Sequence, residues 1–389
     1  MISRELSSQL LESARRFPVV SVIGPRQSGK TTLVKALFSD YKYVSLEDLD
    51  NRKFAGEDPR NFLDTYPEKV ILDEVQRVPE LFSYLQTHTD QKGSAGQYIL
   101  TGSQHFLMME SVSQTLAGRT AIHTLLPLSW SELSGSVDSE IDYTEFLFAG
   151  SFPRVYDKKI PPSEFYSTYI QTYVERDVRT LKQVSDLTAF QTFVKLCAGR
   201  IGQLLNLSSL ANDAGITHNT AKSWLSLLET SFLVVILKPH HKNFNKRLIK
   251  SPKLYFTDTG LAASLLEIET PSQLATHHMV GHLFENMVVT EYLKHRYNQG
   301  KRNNGFFWRD KTGHEIDLLI EKADKLISIE VKSGKTVNSD YFRNLKYWQS
   351  LSGSPSDDSY VIYGGDSDQK RSHASVCGWK KASHLFQKI

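Results

Sequence analysis

A glycine-rich segment near the amino terminus has the residue types that hold phosphate groups. Gly24 to Thr31 reads G-x-x-x-x-G-K-T and follows the apolar, β-branched run Val19–Ile23. Glycines let backbone N–H groups approach phosphate oxygens, and the helix predicted after Gly29 adds the positive end of its dipole. Lys30 is expected to reach the β- and γ-phosphates, and the Thr31 hydroxyl is expected to bind Mg²⁺. The other positions of this predicted nucleotide-binding loop are Pro25, Arg26, Gln27, Ser28 and Thr32.

Two consecutive acids follow a second apolar run, Val70–Leu72. Next to bound phosphates, Asp73 is suited to hold Mg²⁺, directly or through water, and Glu74 to polarise the attacking water. Acids that are merely solvated where a strand ends are the alternative interpretation. Because the pair lies downstream of a complete phosphate-binding pattern, we favour the catalytic interpretation.

A third apolar run, Tyr98–Leu100, ends in the small polar residues Thr101, Gly102 and Ser103. In a parallel α/β sheet, ligands bind beyond the carboxyl ends of the strands. We therefore expect Ser103, or Thr101 in its place, to contact the γ-phosphate or the attacking water. A glycine-containing turn that merely leaves the strand is the alternative.

An arginine follows in the segment Leu116-Ala117-Gly118-Arg119 and has two interpretations. Arg119 could act on the ATP of a neighbouring subunit and neutralise the charge that develops in the transition state. That role requires an oligomer, so it implies a ring or partial ring. Arg119 could equally be an ordinary surface residue, and the sequence leaves both interpretations open.

The order of these motifs, GPRQSGKTT, LDEVQ, LTGSQ, LAGR and then GSFPR, resembles that of AAA-type P-loop ATPases. More narrowly, it is similar to a prokaryotic family with a C-terminal winged-helix and restriction-endonuclease-like domain of unknown function. The resemblance implies that ATP and Mg²⁺ are the ligands of the first domain. It also implies that the turn Gly150–Pro153 packs near the adenine base, although Ser151 stands where the family has a second glycine. Arg154 beside this turn is then a second phosphate-sensing arginine.

The middle of the chain has the pattern of two short helices followed by a hairpin. Asn206 is expected to cap a helix that Gly215 ends, and Thr217 to begin a second helix. Apolar runs at 232–237 and 254–256 predict a β-hairpin wing. The stretch from 238 to 253 has no carboxylate and is expected to grip the DNA backbone, unless the scaffold is only a spacer. Its cations are Lys238, Lys242, Lys246, Arg247, Lys250 and Lys253.

Four ionisable residues of the C-terminal part match the pattern of a metal-dependent nuclease. Predicted strands carry Asp317 and the triplet Glu330-x-Lys332, and side-chain alternation puts Glu330 and Lys332 on one face. Two carboxylates that converge suit Mg²⁺, and a nearby lysine can orient or activate water. The arrangement resembles the D…(D/E)-x-K nuclease core, with Glu285 as its helix carboxylate. A fold that has lost hydrolysis while keeping these residues is the alternative.

Composition indicates an ordinary globular protein of several domains. The chain has 389 residues, 40% of them hydrophobic, and its net charge of +3 is too small to indicate nucleic-acid binding by itself. Cys197 and Cys377 lack metal spacing, and no uncharged apolar stretch is long enough to cross a bilayer, so we expect a cytoplasmic protein without a membrane partner. We predict an α/β fold with a P-loop AAA-type ATPase domain (1–155), a helical connector (156–200), a winged-helix-like domain (201–262) and a restriction-endonuclease-like domain (263–389).

Together these features predict a Mg²⁺-dependent ATPase that acts on DNA and assembles into a homo-oligomer. A motor or helicase on branched or forked DNA, with a nuclease-like module, is the leading interpretation. A nucleotide-operated regulatory switch with an inactive nuclease fold is a second one, and an ATP-gated nuclease is a third. The sequence does not choose among them.

Overall fold

The computed structural model describes residues 2–103, 116–137, 140–178, 186–240 and 249–389, and for 175–178 the backbone alone. These residues group into two compact units. The first consists of Met1–Leu128, Thr230–Phe232 and Arg296–Lys301, and the second of Ser129–Glu229, Leu233–His295 and Arg302–Ile389. The predicted division into four domains stays a prediction, and Lys242, Lys246 and Arg247 lie outside the described residues. Every helix among the described residues is too short or too polar to span a membrane.

A five-stranded parallel sheet forms the centre of the first unit. Its strands follow the order β2-β3-β4-β1-β5, and each neighbouring pair is parallel. Because all strands run the same way, their carboxyl ends lie along one edge. The α/β fold with a parallel sheet is thereby confirmed. The strands are β1 (Val19–Ile23), β2 (Lys42–Ser45), β3 (Val70–Asp73), β4 (Tyr98–Gly102) and β5 (Thr120–Thr124).

Strand β1, which lies between β4 and β5, is buried on both faces, and this explains its mostly apolar sequence. Val19 and Ile23 belong to one hydrophobic cluster, whereas Val20 and Val22 belong to another. Alternate residues therefore face opposite layers of helices, as the pleat of a strand requires. The helices of this unit are Ser7–Ala14, Lys30–Leu37, Leu49–Glu57, Pro59–Thr65 and Leu81–Lys92, with a 3₁₀ turn at Val75–Arg77.

Helices and two further sheets build the second unit. Its α-helices are Trp130–Leu133, Tyr143–Ala149, Pro153–Asp157, Pro162–Tyr169, Leu187–Ala198, Leu207–Asp213, His218–Thr230, Thr259–Leu265, Pro271–Thr276, Val280–Asn298, Arg343–Ser352 and Ala382–Lys388. A π-helix at Ile170–Val178 continues the fourth of these, and 3₁₀ turns lie at Ser339–Phe342, Ser356–Asp358 and Trp379–Lys381.

The predicted pair of short helices and its hairpin are present. The Asn206 side chain accepts from Ser209 N at 3.0 Å and begins the helix Leu207–Asp213. Gly215, with a φ of +67°, then turns the chain into His218–Thr230. The hairpin pairs β6 (Val234–Leu237) with β7 (Lys253–Phe256) in antiparallel register.

A mixed six-stranded sheet occupies the carboxyl-terminal part of the second unit. Its order is β12-β13-β11-β10-β9-β8, in which β10 pairs parallel with β11 and antiparallel with β9. The predicted strands that carry Asp317 and Glu330 are therefore neighbours. The six strands are β8 (Gly305–Arg309), β9 (Glu315–Lys322), β10 (Lys325–Lys332), β11 (Ser359–Tyr363), β12 (Gln369–Lys370) and β13 (Ser375–Gly378).

Candidate functional site

The glycine-rich loop joins β1 to the helix Lys30–Leu37 at the carboxyl edge of the parallel sheet. Gly24 has a φ of +153°, and a Cβ atom there would lie 2.1 Å from the carbonyl oxygen of Leu125. Gly29 has a φ of +93° and caps the helix. Gly24 combines this backbone geometry with a close approach that only glycine allows, and the positive φ of Gly29 favours glycine there too.

Lys30 lies inside this loop rather than in solvent. Its Nζ donates to the carbonyl oxygens of Gly24 at 2.9 Å and Pro25 at 2.8 Å, and the side chain is buried. Burial lowers the pKa of Lys30 to about 8, although the nearby carboxylates of Glu74 and Asp73 oppose this shift. The ammonium is thus held beside the two acids, in the cradle that phosphate oxygens would enter.

Asp73, the last residue of β3, accepts hydrogen bonds from three hydroxyl groups. Its carboxylate accepts from Thr31 Oγ1 at 3.0 Å, from Tyr43 OH at 2.7 Å and from Thr101 Oγ1. Burial, followed by the bond to Asp73, raises the pKa of Tyr43 to about 12. The Thr31 hydroxyl and the Asp73 carboxylate are adjacent oxygen donors, which is the ligand chemistry that Mg²⁺ takes, so these two residues fit the ion. Tyr43 was not predicted, because a tyrosine in a strand gives no signal of its own.

Glu74 turns away from the strand into a strained position. Its φ of +55° is in the left-handed region, which non-glycine residues adopt rarely and mostly at functional sites. Its Oε2 accepts from Ser103 Oγ at 3.0 Å and from the buried amide of Gln76. The structure therefore brings Ser103 into contact with Glu74 and Thr101 into contact with Asp73. These are the two polar residues that the sequence offered for contact with the γ-phosphate or the water.

The remaining loop positions surround the same cradle. Arg26 lies 3.6 Å from the Glu47 carboxylate, and Thr32 is exposed on the first turn of the helix. Within the described part of the chain, buried Ser28 Oγ and Gln27 Oε1 have no hydrogen-bond partner. Buried polar atoms are usually satisfied, so an unpaired hydroxyl donor in a phosphate-type loop fits an anionic ligand that supplies the acceptor.

Two predicted arginines lie elsewhere. Arg119 precedes β5, whose first residue pairs with the first residue of β1, so it lies at the amino edge of the sheet. Its guanidinium binds both oxygens of Asp90, at 2.5 and 2.9 Å. Arg154 is exposed on the helix Pro153–Asp157 of the second unit. Neither arginine touches the loop of its own chain among the contacts described here, and their roles stay predictions.

The Gly-Ser-Phe-Pro turn beside Arg154 is engaged inside the second unit. Ser151 donates to Asp258 through its backbone N–H at 2.7 Å and its hydroxyl at 2.9 Å. Lys294 Nζ donates to the Ser151 hydroxyl at 3.0 Å, and all three side chains are buried. Serine in place of the family's glycine thus has a structural reason, since its hydroxyl completes this buried network.

A cluster of carboxylates lies where β9 begins, in the second unit. One oxygen each from Glu285, Glu315 and Asp317 lie within 4.8 Å of one another. Glu330 and Lys332 of β10 form an ion pair at 2.7 Å, and Asn344 donates to the same Glu330 oxygen at 3.2 Å. The structure therefore brings the predicted residues into one region and adds Glu315. The signal for Glu315 was available, since it precedes Asp317 by two residues and strand residues so spaced share a face.

Lys253 corrects one prediction about the basic hairpin. It was expected to face solvent and the DNA backbone, but its side chain is only 1% exposed. Its Nζ donates to Glu285 Oε1 at 2.8 Å and contacts Glu315 Oε1. The sequence pattern shows that a lysine is present but not which side of the strand it occupies in the fold. Lys238 and Lys250 are exposed, as predicted.

Burial shapes the charges of this cluster. Burial, followed by the charge of Glu285, raises the pKa of Asp317, and burial, followed by Asp317, raises the pKa of Glu330. For Lys332, burial acts in the opposite direction, but Asp317 and Glu330 outweigh it and raise the pKa. One oxygen each of Glu285 and Glu315 is bound to the Lys253 ammonium, and the metal-binding roles of Glu285, Asp317 and Glu330 stay predictions.

Comparison with protein families divides the chain into three matched stretches. Residues 16–134 match the family described as an AAA domain. Residues 140–272 and 280–381 match two families described as domains of unknown function, DUF8612 and DUF4143. The first stretch contains the phosphate loop, Asp73, Glu74, Ser103 and Arg119. The chain therefore contains a stretch that matches the AAA domain family, followed by two stretches that match families of unknown function.

Individual relatives share low sequence identity with this chain. Uncharacterized proteins of Mycobacterium bovis and Mycobacterium tuberculosis are each 27% identical over 337 residues, which is 86% of this chain and 74% of the relative. Among solved structures, a Walker-type ATPase of Pyrococcus abyssi covers 68% of this chain and 96% of its own, at 15% identity and a TM-score of 0.46. AMPPCP-bound DnaA from Aquifex aeolicus covers 58% and 86%, at 16% identity and a TM-score of 0.31.

Proposed function

We propose that this chain, whose residues 16–134 form an AAA-type domain, hydrolyses Mg²⁺-bound ATP at the loop Gly24–Thr31 and couples the reaction to DNA. One observation carries the hydrolytic part of the proposal. At a single edge of the sheet, Thr31 lies 3.0 Å from Asp73 while Ser103 lies 3.0 Å from Glu74. A metal-binding pair and a water-orienting pair therefore stand side by side next to the buried Lys30 ammonium.

Each residue then has a defined task. Lys30 exchanges the carbonyl oxygens of Gly24 and Pro25 for phosphate oxygens, as an ammonium held in the loop can do by rotating its side chain. Thr31 and Asp73 would hold Mg²⁺, which supplies charge neutralisation to the phosphates when it is bound. Ser103 contacts the γ-phosphate or the water that attacks it.

Glu74 orients that water and accepts its proton, but it must first change partners. Its Oε2 is bonded to both Ser103 and Gln76, so one of its two carboxylate oxygens is engaged. Gln76 thus holds Glu74 in a waiting position. This observation also favours a second candidate function, a nucleotide-operated switch that binds ATP tightly and hydrolyses it slowly until a partner releases Glu74.

ATP turnover of purified variants tests the hydrolytic site. We expect Lys30→Ala to weaken ATP binding, because the loop loses its only buried cation described here. Glu74→Gln should keep ATP binding and lower turnover by about a hundredfold or more, the usual loss when a general base is removed. The exposed Glu80→Gln is the matched control and should leave both quantities unchanged. Unchanged turnover in Glu74→Gln would remove Glu74 from its role, and no ATP affinity in Mg²⁺ would end the proposal.

The DNA part of the proposal rests on the helix pair and the exposed cations near it. The helix His218–Thr230 buries Trp224 and Leu228 and exposes His218, Asn219 and Lys222. One apolar face packs on the unit, so the polar face is left for a ligand. Exposed Lys222 and Lys250 suit phosphate oxygens, which carry no sequence information, so we propose contact with the DNA backbone.

Turnover with single-stranded, duplex and branched DNA tests this coupling and separates the two candidate functions. Strong stimulation by DNA supports a motor, whereas tight ATP binding with negligible, unstimulated turnover supports the switch. Lys222→Glu and Lys250→Glu should each weaken DNA binding in fluorescence anisotropy and reduce its salt dependence. Lys346→Glu, which reverses an exposed charge on the helix Arg343–Ser352, is the control.

A homo-oligomer is the remaining part of the proposal, with Arg119 acting on a neighbour's ATP. Support comes from its position at the sheet edge away from the loop of its own chain. Its pairing with Asp90 is surface-exposed, and exposed ion pairs are weak, so the guanidinium can exchange Asp90 for a phosphate. Sedimentation velocity with and without ATP and Mg²⁺ tests the assembly.

A further inference from the structure

A buried ammonium lies where the carboxylates of the second unit converge. Lys253 comes from the first residue of β7, outside the strands that resemble a nuclease core. Its Nζ donates to Glu285 Oε1 at 2.8 Å, contacts Glu315 Oε1, and lies 5.5 Å from the centre of the Phe307 ring. The lysine side chain is 1% exposed, so solvent water screens its ion pairs little.

Further donors reach the cluster, although Glu330 Oε2 is a buried oxygen without a hydrogen-bond partner among the described residues. Tyr255 OH donates to Glu285 Oε1 at 2.6 Å, and Arg309 donates to Glu315 Oε2 at 2.8 Å. The second oxygen of Glu285 faces Gly202, where a Cβ atom would lie only 3.3 Å away. Asp317 Oδ2 accepts the backbone N–H of Val331 at 2.8 Å.

A count of formal charges leads to the same conclusion. The four carboxylates are Glu285, Glu315, Asp317 and Glu330, and the three cations in contact with them are Lys253, Arg309 and Lys332. With all seven groups ionised, one negative charge is left over before any metal arrives. A divalent ion would reverse the sign of the cluster and lie close to a buried ammonium, and like charges repel strongly where water is excluded.

We propose that the Lys253 ammonium is the resident cation of this cluster and occupies the place of a divalent ion, so that the second unit is held together by carboxylates but does not cleave phosphodiesters. One oxygen of Glu285 and both oxygens of Glu315 serve Lys253, Tyr255 and Arg309. The hairpin strand β7 is thereby fastened to the helix Val280–Asn298 and to β9. The inference does not depend on ATP hydrolysis, so ATP turnover measured separately on protein that keeps Asp73 distinguishes its failure from failure of the proposed function.

Binding of Mn²⁺, which replaces Mg²⁺ and is visible by electron paramagnetic resonance, tests the inference in the full-length chain. All variants are made in an Asp73→Asn background, so that the phosphate loop does not contribute a metal site. With Lys253 present, we expect no site that depends on Asp317 at millimolar Mn²⁺. Lys253→Met keeps the apolar stem on Phe307 but removes the charge. This variant should gain one Mn²⁺ per chain, with a dissociation constant at least about tenfold below the millimolar range. Adding Asp317→Asn to Lys253→Met should abolish this gain.

Thermal unfolding supplies a second readout, because removing Lys253 takes a buried ammonium away from Glu285 and Glu315 and lowers stability. Mn²⁺ should raise the melting temperature of Lys253→Met and leave that of Lys346→Met, the exposed control, unchanged. If Lys253→Met does not fold, Lys253→Met with Glu315→Gln removes one charge of each sign and should bind Mn²⁺ in its place. A folded variant that gains no site overturns the inference.

Wild-type protein provides the decisive contrary result. Mn²⁺ binding at one ion per chain that is lost in Asp317→Asn would show that the ammonium and the metal coexist. Cleavage of branched or linear DNA in Mn²⁺ that is lost in Asp317→Asn would show that the second unit cleaves phosphodiesters while Lys253 is present. Either outcome overturns the inference, whereas uncleaved DNA with no Asp317-dependent Mn²⁺ site supports it.

Discussion

The phosphate loop depends on Gly24 for a reason that a single substitution can test. Gly24 combines a φ of +153° with a position against the backbone carbonyl of Leu125. The added Cβ of Gly24→Ala would lie 2.1 Å from that oxygen, whereas real Cβ contacts are essentially never below 3.0 Å. The backbone must therefore move by roughly 0.9 Å, the difference between these two distances.

The movement is costly because the carbonyl belongs to a rigid element. Leu125 is fully buried, and its N–H donates to the carbonyl oxygen of Ile23, the last residue of β1, at 2.8 Å. A glycine-only backbone conformation costs about 1–3 kcal/mol for another residue. Overpacking a well-filled interior adds about 1–3 kcal/mol. Gly24→Ala should thus lower the free energy of unfolding by about 2–6 kcal/mol and displace the loop that holds Lys30.

Chemical denaturation and ATP binding together measure this effect. The matched control is Gly93→Ala, since Gly93 has a φ of +63° but open space around its Cα. It should cost only about 1–2 kcal/mol, the penalty for a left-handed residue, and leave ATP affinity unchanged. If Gly24→Ala were no more destabilising than Gly93→Ala and still bound ATP normally, the argument from close approach would be refuted.

Three other predictions concern the groups around the loop. Tyr43→Phe removes the hydroxyl that positions Asp73 and should weaken Mg²⁺-dependent ATP binding about tenfold, which isothermal calorimetry would detect as a shift in affinity. Gln76→Ala frees Glu74 and should raise DNA-independent turnover relative to wild type; lower turnover would mean that Gln76 helps catalysis. Mixing Arg119→Ala with Lys30→Ala subunits should restore part of the ATPase activity that neither has alone, and no restoration would exclude a role in trans.

The sequence was most informative where the functional residues are close in the chain. Gly24 to Thr31 are contiguous, so their spacing alone defines a loop, and the strand before it and the helix after it were confirmed. Asp73 and Ser103 could be assigned because each follows a buried apolar run, and parallel strands bring such positions to one edge. The mixed sheet likewise placed the strands with Asp317 and Glu330 side by side, as predicted.

The sequence was least informative where partners are remote. Tyr43 reaches Asp73 from a neighbouring strand, 30 residues away, and Gln76 takes the oxygen of Glu74 by folding back in a short 3₁₀ turn. No local sequence pattern marks the hydroxyl or the amide that will donate a hydrogen bond to one of these carboxylates. Only packing of the strands decides which polar side chains share one carboxylate.

What the sequence by itself determined is the chemistry available to the protein: a phosphate loop, two acids at a strand end, and carboxylates beside a lysine. What only the tertiary structure decided is which charges meet, and Lys253 shows why. A lysine in a basic stretch looks like a solvent-exposed cation, but its strand turns it inward onto Glu285 and Glu315. Burial makes this pairing strong and excludes water, and burial is a property of the folded chain rather than of any residue or its neighbours in sequence.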